Sequence, residues 1–283
     1  MNKTAGLVIV FLIFLSSAYC QISDPGFAKY LKDNRNFESL ILLNNLDTGH
    51  LNKYQIDSLN FYTGWAYYNL QDLEKGIEKF SSVSDLSGFY NASRFFASWS
   101  GLYLEKPDMA KLLLGQINPS SKAEKELFLM LGTGIELMSR NVPNADSLAS
   151  IAIRSNPIYG PQWDRMQIHS NRLKEFKPKS YGLAGLLSGI LPGAGKIYTG
   201  QKGAGVSSLL TVGAMTAITI ENGLKSGWKK WNTLTAATIL SVFYIGNIYG
   251  SIVGVRVYRE RFYNEVDRAI LLDVNIPLRN IYR

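Results

Sequence analysis

One cysteine and two histidines in 283 residues leave little material for a metal centre or a thiol enzyme. His50 and His169 have no neighbouring cysteine and no ligand-like spacing, so solvated or capping roles are their default. A lone Cys20 excludes an intramolecular disulfide framework. There is no G-x-S-x-G elbow and no compact acidic cluster of the kind that marks a hydrolase. Gly193-Ala194-Gly195-Lys196 fails as a phosphate-binding loop, because Ile190 and Ile197 stand where that motif needs glycine and serine or threonine. The expectation is a chain without cofactor, metal or catalytic residues.

Acidic residues are scarce in one region. Between Glu175 and Glu260 the only one is Glu221, against nine lysines and arginines, so this stretch carries the whole net charge of +8. Because the basic residues flank apolar runs, the excess favours anionic lipid headgroups over nucleic acid as a partner.

What is present divides the chain into four parts. Residues 1–20 have a basic start at Lys3, an apolar run over 5–15 and small residues before Cys20, the pattern of a secretory signal peptide. Cleavage after Cys20 leaves Gln21 as the N-terminus; lipid attachment to Cys20 is the other reading, disfavoured by the bulky Tyr19.

Residues 21–175 show helical apolar spacing with few hairpin signals, so the expected fold class is all-α. The segment is self-similar at about 34 residues: Trp65 answers to Trp99, Leu70 to Leu104, Gly76 to Ala110, and Ala110 to Ala145 after 35. Small and large residues alternate at Gly64, Tyr67, Gly76 and Phe80 as two packed antiparallel helices require, and Pro157 falls where a unit would end. These positions resemble the tetratricopeptide repeat. The resemblance implies a solenoid of three or four helix pairs, with Trp65, Tyr68 and Trp99 lining its groove as anchors for a protein or peptide. Packing between helices is the competing role for the same three residues.

Residues 176–263 form a glycine-rich membrane domain. The run 181–191 covers only about 16 Å and is too short to cross, so a re-entrant or interfacial segment is expected before the Pro192, Gly193, Gly195 turn. Residues 203–220 and 233–255 are long enough to span. The loop between them carries Lys225, Lys229, Lys230, Trp228 and Trp231, which by charge places it in the cytoplasm and the repeats outside; Arg256, Arg259 and Arg261 oppose that orientation. Gly246, Gly250 and Gly254 share one helix face, Gly185 and Gly189 another, and the two faces are expected to pack with each other or to mediate self-association. Asn247 is expected to hydrogen-bond across that face. The run from Leu191 to Gly200 resembles the two-transmembrane domain family, and its combination with a repeat domain is similar to that of exported proteins of Bacteroidota-type bacteria.

Residues 264–283 read as a C-terminal tail. Together these features suggest an adaptor or scaffold anchored in the cytoplasmic (inner) membrane, its repeats in the periplasm, binding a protein or peptide, with envelope or membrane-protein biogenesis as the expected setting. The alternative is an oligomeric transport or channel-like element with regulatory repeats.

Overall fold

The structure, a computed structural model, describes residues 25–44, 51–154 and 158–282. The expected signal sequence, Cys20, His50 and Pro157 lie outside the described residues. Among the described residues all regular structure is helical, as the sequence implies. The helices are α1 (Pro25–Asp33), α2 (Phe37–Asn44), α3 (Lys53–Asn69), α4 (Leu73–Ser81), α5 (Tyr90–Tyr103), α6 (Pro107–Leu114), α7 (Lys122–Met138), α8 (Val142–Arg154), α9 (Gly160–Glu175), α10 (Tyr181–Ile190), α11 (Ala194–Tyr198), α12 (Lys202–Ser226) and α13 (Trp231–Ile281). They form two compact units, one of residues up to Lys174 together with Ala269–Arg283, the other Glu175–Arg268.

In the first unit α1/α2, α3/α4, α5/α6 and α7/α8 are joined by the same turn. Its left-handed residue is Arg35, Gln71, Glu105 and Arg140 in turn, at φ between 57° and 64° and 36, 34 and 35 positions apart. Each of these N–H groups donates three residues back, and the following N–H groups, of Asn36, Asp72, Lys106 and Asn141, donate five residues back, to Leu31, Tyr67, Gly101 and Glu136 carbonyls at 2.8–3.0 Å. That pair of bonds satisfies the last carbonyls of a helix and reverses the chain. Non-glycine residues held in this region are strained by roughly 1–2 kcal/mol each.

Helix starts are equally specified. Asn52 and Gln55 make a reciprocal capping box on α3, the Asp72 and Ser121 side chains cap α4 and α7, and Pro107 opens α6. Gly64 lets α4 approach α3, since a Cβ there would lie 2.7 Å from the Phe80 ring. The interior is filled by Phe80, Phe95, Phe96, Leu102, Leu127, Met130 and Leu137. Among the described residues buried Arg94 has no carboxylate partner; its guanidinium donates to the carbonyls of Phe80, Ser81 and Val83 at the end of α4.

In the second unit α12 and α13 are each long and apolar enough to cross a membrane. Only 17% and 22% of their most apolar windows are buried within the protein, so these faces need lipid or another apolar cover. α13 has 51 residues and is about 76 Å long. It does not stop at the expected boundary of 263. It runs on to Ile281, and from Ala269 it belongs to the first unit, so 264–281 is helix, and its part from Ala269 joins a core instead of forming a tail. The cause is an apolar stripe at Ile270, Val274 and Leu278, all fully buried, inside a stretch whose charges and Pro277 disguise it.

Candidate functional site

Trp65 and Tyr68 on α3 and Trp99 on α5 do come together. Ring centroids are 6.0 Å apart for Trp65 and Tyr68 and 5.4 Å for Tyr68 and Trp99, and both α3 rings stand edge-on to Phe96. None of the three is open to solvent: they are 6%, 3% and 5% exposed. The chain's own segment 269–281 covers them. The Trp99 indole N–H donates to the Leu271 carbonyl at 3.0 Å, and the Asn275 amide donates to the Tyr68 hydroxyl at 2.7 Å. Gly134 on α7 admits the segment, with Ile270 and Val274 methyls 3.2 and 3.3 Å from where its Cβ would stand.

Polar contacts fix the segment's register. Asp273 accepts from Arg165 Nε at 2.5 Å and lies 2.8 Å from His169 Nε2, both on α9. The Tyr282 hydroxyl donates to Glu124 at 2.7 Å while its ring packs beside Phe95. Burial raises the Tyr68 hydroxyl pKa, outweighing the Asn275 hydrogen bond and the charge of Arg279. Burial also pushes Glu124 upward, but donation from Ser120, Tyr282 and Asn91 leaves the carboxyl below its usual range. Tyr282 is raised, by burial and then by Glu124. Leu271, Asp273, Asn275 and Tyr282 were not foreseen as part of this site; the four-residue spacing of Ile270, Val274 and Leu278 is the signal that could have found them.

In the second unit Pro192, Gly193 and Gly195 form the turn of a helical hairpin made by α10 and α11. Gly193 sits at φ +88°, and a Cβ on it would strike the Gly205 carbonyl; one on Gly195 would strike the Ala184 carbonyl. The turn's buried backbone groups are satisfied from α13 and α10. Asn247, 4% exposed, accepts from the Gly193 N–H at 3.1 Å and donates to the Ser188 carbonyl at 3.4 Å. Ser188 accepts from the Gly195 N–H and pairs with Ser251 at 2.6 Å, and the Tyr244 hydroxyl donates to the Gly189 carbonyl. Buried irregular backbone is tolerable when its polar groups are satisfied in this way.

The two glycine stripes do not face each other as expected. Gly185 meets Ile252 and Ile248, and Gly189 meets Ile248 at 4.0 Å. Gly250 receives the Lys196 side chain, Gly254 receives Thr199 and Gln201, and Gly246 has nothing within 4 Å. Gly250 and Gly254 thus make room for polar side chains of the hairpin and the residues just after it instead of a second glycine helix.

At the start of this unit an aromatic and basic cluster forms. Phe176 stacks on Phe262 at 3.8 Å and on Tyr258, and the Lys179 ammonium lies over the Tyr198 and Tyr258 rings. Arg259 lies over Tyr181 and donates to the Lys179 carbonyl. Comparison of the chain with family models, with curated proteins and with solved structures gives no match.

Proposed function

We propose that the chain is a non-enzymatic adaptor anchored in the cytoplasmic membrane, whose tetratricopeptide-like solenoid recognises an apolar helix of a partner protein on the face built by Trp65, Tyr68 and Trp99. The observation that carries this reading is the seat of 269–281. Hydrogen bonds from Trp99 to a helix backbone and from Asn275 to Tyr68, beside buried apolar residues at four-residue spacing, are the contacts of helix-in-groove recognition. The segment is then an internal ligand that a partner helix replaces. A cavity of about 400 Å³ bounded by Arg35, Trp65, Asn275, Ile276 and Arg279 gives such a helix an edge at which to enter.

The recurrence of one left-handed turn every 34–36 residues supports the repeat reading, alongside the resemblance at Gly64, Tyr67, Gly76 and Phe80. Membrane anchoring is supported by spacing. Trp231 and Tyr258 are 27 residues apart on one helix, about 40 Å, which matches a bilayer with its headgroup regions. Because 269–281 packs with 25–174, both stretches share one side of the bilayer and the crossings between them are even in number. α12 and α13 supply two, and the hairpin of α10 and α11 enters without crossing. Lys225, Lys229 and Lys230 then face the cytoplasm and the repeats the periplasm. Arg256 and Arg259 weigh little against this, since Arg256 pairs with Glu260 and Arg259 is engaged with Tyr181 and Lys179.

The test is photo-crosslinking in cells from a benzoylphenylalanine at Tyr103, whose ring adjoins Trp99. A partner protein should be captured by the full-length chain, captured more by Leu278→Ala, which loosens the segment, and lost in Trp99→Ala. Crosslinks only to 269–281 in all three proteins contradict the adaptor reading.

A further inference from the structure

A cavity of about 310 Å³ lies among α11, α12 and α13, lined by Lys196, Ser207, Ser208, Thr211, Asn247 and Gly246 on its polar side and by Val212, Val242 and Phe243 on the other. The Lys196 ammonium donates to the Ser208 hydroxyl at 2.6 Å, and among the described residues no carboxylate pairs with it. Its stem crosses Gly250, eight residues and about 12 Å along α13 from the Tyr258 level. A cation at that depth, answered only by a neutral hydroxyl, is costly unless an anion joins it.

The hydroxyls point the same way. Thr216, Thr219, Thr235, Thr238, Ser241 and Ser251, on the same two helices, each donate to the carbonyl four residues earlier. That is how a hydroxyl is satisfied in an apolar setting. Ser207, Ser208 and Thr211 do not back-bond, and the three line the cavity. An ammonium with two donors to spare and three hydroxyls that have yet to donate their protons suit the several oxygens of a phosphate better than one carboxylate. This is not a phosphate loop, because the Gly193 and Gly195 N–H groups are engaged by Asn247 and Ser188.

We propose that this cavity binds a phosphate group, with Lys196 as counter-charge and Ser207, Ser208 and Thr211 as donors. Two sources share that chemistry, the headgroup of a phospholipid and a soluble phosphate, and the apolar wall of Val212, Val242 and Phe243 suits a lipid.

Native mass spectrometry of the full-length protein in detergent, offered phosphatidylglycerol or diacylglycerol, tests it. Wild type should retain phosphatidylglycerol at least tenfold better than diacylglycerol, and Lys196→Gln should abolish the difference. Gly246→Leu is the second variant. It fills the cavity from a position with nothing within 4 Å, leaves the cation and the helix in place, and should give the same loss even if Lys196→Gln does not fold. Competition by millimolar inorganic phosphate identifies a soluble phosphate as the ligand, and its failure to compete identifies the lipid headgroup. Equal retention of the two lipids without a phosphate effect, or phosphatidylglycerol retention unchanged in Gly246→Leu, overturns the proposal.

Discussion

Truncating Leu278 to alanine should release the segment 269–281 without unfolding the spans. Leu278 is 0% exposed and lies on the buried stripe with Ile270 and Val274. Removing a buried leucine side chain costs about 2–5 kcal/mol, depending on how far the site collapses. At about 1.4 kcal/mol per factor of ten, the detached population rises at least about 25-fold. Leu272, six residues earlier on the same helix, is 62% exposed, and its truncation should stay within about 0.5 kcal/mol. Hydrogen exchange of the detergent-solubilised protein reads both. In Leu278→Ala the amides of 269–281 should exchange at least about 25-fold faster, while those of α12 keep wild-type rates. If the segment opens only with the whole unit, the same free energy appears as a lower Tm. Identical exchange and Tm in wild type, Leu272→Ala and Leu278→Ala refute the assigned burial.

Three other outcomes follow from particular contacts. Glu105→Gly relieves an exposed left-handed residue, so the protein should melt at the same temperature or slightly higher, the relief of roughly 1–2 kcal/mol being partly offset by chain entropy; Glu105→Val should lower the Tm. Asn247→Ala leaves the Gly193 N–H and the Ser188 carbonyl unpaired and should destabilise the second unit by about 1–3 kcal/mol per group, seen as lower Tm in detergent with the first unit unaffected. Glu124 has a lowered pKa in the folded state, so its contribution is fully present above the unfolded value of about 4.3 and is lost as pH falls through the folded one. The Tm difference between wild type and Glu124→Gln should therefore be constant from pH 7 to pH 5 and shrink below about pH 4.

The helical class and the two long apolar helices were legible because periodicity and length act locally on every residue. Packing of Trp65, Tyr68 and Trp99 between helices was one of the two readings their spacing allowed, and they are buried; the segment that covers them was not legible, since the covering residues stand some 170–210 positions away. The repeat turns were hidden because Arg35, Gln71, Glu105 and Arg140 occupy a conformation usually signalled by glycine. Gly246, Gly250 and Gly254 suggested a helix-packing face, whereas two of them accommodate Lys196, Thr199 and Gln201, polar residues whose position depends on the hairpin. Lys196 itself looked like part of a failed phosphate motif. Its significance lies in the hydroxyls that α12 brings beside it, which no local pattern reports.

The proposed adaptor function requires the segment 269–281 to occupy the face that a partner helix would use. Gly134→Cys with Val274→Cys tests this most directly, because the Val274 side chain lies 3.3 Å from the position of a Cβ at 134. Oxidised full-length protein should yield a disulfide-linked peptide pair. Locking the segment should abolish partner capture from position 103, and reduction should restore it. Free thiols at both positions, or capture undiminished in the locked protein, would contradict the claim that segment and partner share one seat.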